Sequence, residues 1–181
     1  MPRFVALLRG VNVGGAKRVP MAELRALLAG LGYTAISTLL NSGNAIFSAA
    51  RGTPAAHARQ IAAAICARLK LEVPVIVRSA RELSLVVAEN PISAEESDHS
   101  RLLVTFIQDT KMLNDWASIG PLVQAPEQFA VGTTAAYLLC ANGILESKAW
   151  ALLLRKAGGS TTTRNWATVL KLLALANTRD A

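Results

Sequence analysis

The segment TAISTLLNSGNAIFSA, residues 34 to 49, decides how the first half of the chain folds. Its centre, Asn41-Ser42-Gly43, consists of residues that favour tight turns. The runs on either side, TAISTLL and NAIFSA, are rich in residues that favour strands. Together they predict a β-hairpin.

Working outward, the hairpin is flanked on each side by a predicted helix and then a predicted strand. Apolar residues recur at helical spacing in both helices, and each helix opens at a proline. The predicted elements are a strand at 3–9, a helix at 20–31, the hairpin, a helix at 54–69 and a strand at 73–79. This β-α-β-β-α-β order predicts a ferredoxin-like αβ-plait built from two split βαβ units.

The second half repeats most of this order. The predicted elements are a strand at 101–107, a short helix at 111–120, a hairpin at 128–141 around Thr133-Thr134, and helices at 147–157 and 163–176. No final strand is predicted, so the second plait is expected to have its last strand replaced by a C-terminal helix.

The predicted fold class is therefore α+β, with two ferredoxin-like halves. The expected divisions are an N-terminal half at 1–79, a linking helix and acidic loop at 80–100, and a second half at 101–181. Several strands are apolar at consecutive positions, which is typical of strands covered on both faces.

Composition limits the class of protein. The chain has 181 residues, of which 52% are hydrophobic, so it can bury a large core. No signal peptide is evident, and no apolar run approaches the roughly 18 residues that span a bilayer, so a cytoplasmic protein without a membrane partner is expected. Cys66 and Cys140 lie far apart in apolar surroundings, which indicates reduced thiols and no metal site.

The net charge of +7 is unevenly distributed, because basic residues dominate 1–79 and 147–181 whereas acidic residues dominate 80–146. Basic ends that met in the fold would attract an anion, and ends that lay apart would be solvated surfaces. A single-stranded RNA platform is disfavoured, because aromatic residues are only 5% of the chain and SGNAIFSA lacks the required signature. Contact with a nucleic acid backbone stays open.

The loop RGVNVGGAKR, residues 9 to 18, lies between the first strand and helix. A P-loop needs Gly-Lys-Ser or Gly-Lys-Thr at its end, but Ala16 precedes Lys17 and Arg18 follows it. The glycines also do not form the dinucleotide-binding pattern. The loop is either an ordinary turn or an anion site formed by backbone amides and cations before a helix.

A second cation precedes a predicted helix in TTTRNW, residues 161 to 166. The threonines are good helix caps, which places Arg164 and Asn165 in the first turn. The segment is either an anion or carboxylate cradle or a capping cluster in which Arg164 pairs with an acidic residue. Ser147 and Lys148 are expected to cap and start the preceding helix.

Catalytic groups are scarce. His57 is expected to face away from the apolar stripe of its helix, and His99 lies in the acidic loop. Neither has the neighbours of a metal site or a catalytic triad, and no nucleophile or cofactor is indicated. Whether the protein is an enzyme is left open.

LLRGVNVGG, PMAELRALLAGLG, LNSGNAIF, Ser147-Lys148 and TTTRNWATVLKLLALA together resemble the successive motifs of a bacterial family, domain of unknown function family 1697. The resemblance implies two αβ-plait halves and no established activity. The chain has Ala16 where the family pattern leads us to expect a polar residue. The motif positions and the adjacent Lys17 give the candidate ligand-binding residues: Arg9, Gly10, Asn12, Gly14, Gly15, Lys17, Ser42, Asn44, Lys148, Thr163, Arg164 and Asn165.

The leading hypothesis is that the loop at 9–18 and the TTRN segment converge on a polar, basic cleft. Its ligand would carry phosphate or carboxylate, as a nucleotide or a nucleic acid backbone does. The alternative is a non-catalytic structural or protein-interaction module, whose partner could be a second copy of the chain in a homodimer. An enzyme acting on a small anionic substrate ranks third, for want of a general base.

Overall fold

A computed structural model describes residues 1–15 and 17–178. Ala16, where the family resemblance leads us to expect a polar residue, lies outside the described residues. The chain forms two compact units, Met1–Leu83 with the segment that begins at Leu172, and Ser84–Lys171. Each unit is described by itself below.

The first unit contains one four-stranded antiparallel sheet and two helices that connect its strands. The elements are β1 (Arg3–Leu8), α1 (Met21–Gly30), β2 (Thr34–Leu39), β3 (Asn44–Ser48), α2 (Pro54–Leu69) and β4 (Val75–Ser79). The strand order is β2-β3-β1-β4, with β1 paired to both β3 and β4. This is the strand order of a ferredoxin-like plait, as the predicted β-α-β-β-α-β order of elements indicates.

Local sequence explains where the helices of this unit begin. Thr53 caps α2, because its hydroxyl accepts a hydrogen bond from the amide of Ala56 at 3.2 Å, and Pro54 occupies the first turn. Helix α3 (Ala80–Glu89), which begins in this unit and ends in the second, starts with a capping box. In it, the Glu82 carboxylate accepts from the Ser79 amide at 2.7 Å, and the Ser79 hydroxyl accepts from the Glu82 amide at 3.2 Å.

The core of the first unit lies between the sheet and helices α1 and α2. Phe4 and Phe47 come from adjacent strands and stack with their ring centroids 5.6 Å apart, while Leu24 and Ile61 supply the helical side. In β1, which contains the apolar run VALL, every residue from Phe4 to Leu8 is buried, which confirms the expectation that strands with apolar residues at consecutive positions are covered on both faces.

The second unit has a second four-stranded antiparallel sheet. The elements after α3 are β5 (Leu102–Ile107), α4 (Leu113–Trp116), β6 (Gln128–Val131), β7 (Ala135–Leu139), α5 (Lys148–Ala157), β8 (Thr161–Asn165) and α6 (Trp166–Asn177), of which the part from Leu172 onward belongs to the first unit. Short 3₁₀ turns precede and follow α4, the second of them at Ala117–Leu122. The strand order is β6-β7-β5-β8, which matches the order in the first unit.

The predicted loss of the last strand in this half is wrong. Residues Thr161–Asn165 form β8, which pairs antiparallel with β5 and places Thr163 opposite Thr105. Three successive threonines favour a strand as well as a helix cap, and pairing with the buried strand β5 decides between them. The C-terminal helix follows this strand and begins at Trp166 instead of replacing it.

The fold class is therefore mixed α+β, with two four-stranded antiparallel sheets compatible with two ferredoxin-like halves and a C-terminal helix. Among residues 1–15 and 17–178, no helix is both long enough and apolar enough to cross a membrane.

Candidate functional site

The glycine-rich loop leaves β1 at Leu8 and returns to α1 through a tight reversal. The Arg9 amide donates to the carbonyl of Pro74 at 2.9 Å, and the Asn12 amide donates to the carbonyl of Lys17 at 2.8 Å. Gly14 and Gly15 both have positive φ angles, +62° and +78°, which glycine adopts without steric cost. The glycine pair therefore permits the reversal.

Asn12 fixes this reversal with its side chain. Its Nδ2 donates to the carbonyl oxygens of Val19 and Asn41, at 2.8 Å and 2.6 Å, and its Oδ1 accepts from the Val19 amide at 2.9 Å. Asn12 also has a φ of +57°, which asparagine tolerates better than most residues. The side chain thus joins the loop to the β2–β3 turn and to the residues just before α1.

The loop encloses a pocket of about 540 Å³, which we call the loop pocket. It lies entirely within the first unit. Its lining residues are Asn12, Gly15, Lys17, Arg18, Val19, Pro20, Met21 and Asn41.

The loop pocket carries positive charge at one end of α1. Lys17 is held across the loop, because its ammonium donates to the carbonyl of Glu72 at 2.5 Å. Arg18 is exposed and has no hydrogen-bond or ion-pair partner within residues 1–15 and 17–178. Pro20 precedes α1 without a side-chain cap, so the first amides of the helix add partial positive charge to these cations. Glu23, in the first turn, pairs with Arg68 at 2.9 Å.

The structure brings three of the predicted site residues together at this pocket: Asn12, Gly15 and Lys17. Arg9, Gly10 and Gly14 belong to the same loop but do not line the pocket. Arg18 and Asn41, which do line it, are absent from the predicted set. Local sequence predicts only a turn at Asn41, and its position in the loop pocket depends on the pairing of β3 with β1, which brings that turn beside the loop.

Ser42 and Asn44 stabilise the neighbouring hairpin. Asn44 is fully buried, and its side-chain Nδ2 donates to the carbonyl of Leu39 and to the hydroxyl of Ser42, both at 3.0 Å. Between them, Gly43 has a φ of +77°, and a Cβ built there would lie 2.7 Å from the Cβ of Leu8. The turn therefore packs directly against the end of β1.

Thr163, Arg164 and Asn165 lie in β8 of the second unit, so placing Arg164 and Asn165 in the first turn of a helix is wrong. The Thr163 hydroxyl is 2.9 Å from that of Thr105. The Asn165 Oδ1 accepts from the amide of Thr168 at 2.9 Å, so Asn165, and not a threonine, caps α6. The predicted convergence of this segment with the loop stays a prediction.

Arg164 is held close to its own strand. Its Nη1 donates to the Thr162 hydroxyl and to the Thr163 carbonyl, both at 2.8 Å. Burial lowers the pKa of Arg164 to about 10, so the guanidinium stays protonated at neutral pH. The remaining candidate, Lys148, is the first residue of α5, and the Ser147 hydroxyl caps that helix by accepting from the Trp150 amide at 3.1 Å.

The expectation that His57 faces away from the apolar stripe of its helix is wrong, because this side chain lies in the core. It is 2% exposed and packs among the rings of Phe4, Tyr33 and Phe47. The spacing of His57, Ile61 and Ile65 along α2 is the signal that predicts this placement, since residues four apart share a face.

Tyr33 gives the imidazole of His57 a polar partner. The Tyr33 hydroxyl donates to Gln60 Oε1 at 2.9 Å and lies 2.8 Å from His57 Nδ1, so Nδ1 carries the hydrogen and donates to the hydroxyl. Burial lowers the pKa of His57 and favours the neutral ring. Within the described residues, no group of three or more His, Cys, Asp or Glu side chains is arranged to hold a metal ion.

Comparison with known proteins identifies the family. The family described as protein of unknown function DUF1697 matches residues 1–137. The conserved bacterial protein SP0830 of Streptococcus pneumoniae has a similar solved structure, with 22% identity over 97% of this chain and 99% of that chain and a TM-score of 0.80. Identity at this level shows a shared fold alone. None of the curated proteins matches the chain significantly.

The family match includes the loop pocket and both strands of the first hairpin, and it ends before Lys148 and β8. Because it covers most of the chain, the chain belongs to the DUF1697 family of proteins of unknown function.

Proposed function

We propose that the first unit binds an anionic ligand, carrying phosphate or carboxylate, in the loop pocket. The observation that supports this most strongly is the convergence of Lys17, Arg18 and the start of α1 on one pocket of about 540 Å³. Each of these groups is positive, and an anion there would relieve their mutual repulsion.

The division of roles within the loop pocket follows from its contacts. Arg18, which is exposed and has no partner among the described residues, offers a guanidinium to two oxygens of a phosphate or carboxylate. Lys17 adds charge from a position fixed by Glu72. Both donors of Asn12 Nδ2 are taken by the carbonyl oxygens of Val19 and Asn41, and Oδ1 accepts from the Val19 amide, so the role of Asn12 is to hold the pocket in shape.

More specifically, the proposed ligand is a nucleotide or a nucleic acid backbone. The pocket falls within the range of about 300 to 1,000 Å³ that small-molecule sites occupy. A phosphate contact of this kind weakens with salt, because counterions compete for exposed cations.

The test is a thermal-shift screen of the full chain with inorganic phosphate, nucleotides and a short single-stranded oligonucleotide, at low and at moderate salt. At least one compound is expected to raise the melting temperature. Arg18→Gln is expected to abolish most of this stabilisation, whereas Arg51→Gln, at an exposed loop position of the same unit, leaves it unchanged. If no compound stabilises the protein, or if both variants lose the effect equally, the proposal is wrong.

The predicted participation of Arg164 needs a separate variant, because that residue lies in the other unit. If the TTRN segment contributes to the same cleft, Arg164→Lys weakens binding of the compound found in the screen. Lysine keeps the positive charge at this position, but it lacks the two parallel donors of the guanidinium. Unchanged affinity in a folded Arg164→Lys variant limits the site to the loop pocket.

A further inference from the structure

A second concave surface lies in the unit Ser84–Lys171, along helix α5. It has a volume of about 430 Å³ and is lined by Leu122, Lys148, Ala149, Ala151, Leu152 and Arg155. We call it the α5 groove. Four of its six lining residues are apolar, and the two others are cations.

The helical part of this lining forms a regular stripe. Lys148, Ala151, Leu152 and Arg155 stand at positions i, i+3, i+4 and i+7, so they occupy one face of α5. The cations stand about 10 Å apart along the axis, with the small and apolar residues between them. Leu122, which lines the groove from outside α5, leaves 61% of its surface exposed.

Lys148 is not needed to stabilise the helix, whereas Arg155 lies in its last turn, where the helix dipole favours a cation. Lys148 and Arg155 are exposed, and within the part of the chain that the structure describes neither has a hydrogen-bond or ion-pair partner. Ser147 already caps α5 through the amide of Trp150. Lys148 is the first helical residue, where the helix dipole disfavours a cation. The carboxylate nearest in sequence, Glu146, forms no ion pair with it.

We infer that the α5 groove docks an acidic amphipathic helix from a protein partner. Two carboxylates one heptad apart on such a helix match Lys148 and Arg155, and apolar side chains between them match Ala151, Leu152 and Leu122. A nucleic acid fits this surface less well, because its backbone offers no apolar group to the centre of the stripe. The inference concerns a different unit from the loop pocket and does not depend on the proposed function.

The test uses a labelled synthetic helical peptide of about 15 residues, with two glutamates one heptad apart and leucines between them, titrated with the full chain and followed by fluorescence anisotropy. Saturable binding with a dissociation constant below about 1 mM is expected. The Lys148→Glu/Arg155→Glu variant is expected to bind about tenfold or more weakly. The Arg51→Glu/Arg59→Glu variant, which makes the same charge change at exposed positions of the first unit, binds as the wild type does.

A second variant tests the apolar part of the groove. Leu122→Ala removes an exposed side chain and is expected to weaken binding of the peptide about threefold or more. The inference is overturned if the peptide does not bind, or if both charge-reversal variants weaken its binding equally. It is also overturned if a single-stranded oligonucleotide binds this surface instead, with an affinity that Leu122→Ala leaves unchanged.

Discussion

The substitution Asn12→Asp tests whether one side chain holds the loop pocket in shape. Aspartate is almost isosteric with asparagine and tolerates the same backbone conformation, φ +57°. It keeps the oxygen that accepts from the Val19 amide at 2.9 Å. It replaces the donor Nδ2, which bonds two carbonyl oxygens at 2.8 Å and 2.6 Å, with an oxygen that cannot donate.

The expected magnitude follows from these contacts. Two lost hydrogen bonds at about 0.5 to 1.5 kcal/mol each, together with the repulsion between the new oxygen and two carbonyls, lower the free energy of unfolding by about 2 to 3 kcal/mol. Asn41→Asp is the matched control, because it makes the same chemical change at an exposed turn position. Its effect is expected to stay within about 0.5 kcal/mol.

Urea unfolding followed by circular dichroism measures both variants, and hydrogen exchange of the backbone amide at position 12, which donates to the Lys17 carbonyl across the loop at 2.8 Å, localises the effect. Faster exchange of this amide is expected in Asn12→Asp and not in Asn41→Asp. If the two variants unfold at the same urea concentration and the amide at position 12 exchanges as in the wild type, the Asn12 side chain does not organise the loop.

Three further predictions concern the interior and the helix caps. Gly43→Ala is expected to lower the free energy of unfolding by about 2 to 4 kcal/mol, because the new Cβ would lie 2.7 Å from Leu8 and alanine would have to adopt a positive φ. Gly14→Ala, with open space around it, is expected to lower it by only about 1 kcal/mol in the same denaturation assay. Burial lowers the pKa of His57, so the unfolded chain takes up a proton that the folded chain does not as pH falls below about 6.5, and stability drops by up to about 1.4 kcal/mol per pH unit. His57→Gln is expected to flatten the stability profile between pH 7 and 5, and parallel profiles would refute this. Asn165→Ala removes the cap of α6 and lowers the melting temperature by the equivalent of about 1 kcal/mol, whereas an unchanged melting temperature would show that the cap contributes nothing.

The first plait was predictable because its local signals agree with its tertiary contacts. Turn residues 41–43, Pro54 and the apolar spacing of α1 each specify the element in which they occur. Strand β8 is not predictable from local sequence, for the opposite reason. Its threonines and Asn165 suit a helix start as well as a strand, and only pairing with β5 selects the strand.

The site was predictable in part. The sequence identified the loop and its cations, because glycines next to a helix start are a local pattern. It could not show that the Asn12 side chain bonds the carbonyl of Asn41 in the β2–β3 turn, since that contact depends on the pairing of β1 with β3. The same limit explains why local sequence predicts only a turn at Asn41.

Titration of the ¹⁵N-labelled full chain with inorganic phosphate, followed by two-dimensional NMR, tests the proposed site most directly. Saturable shifts are expected at the amides of Gly15, Lys17, Arg18 and Met21, and Arg18→Gln is expected to reduce them. The absence of saturable shifts at these amides, or the largest shifts outside residues 9–23, would contradict anion binding in the loop pocket.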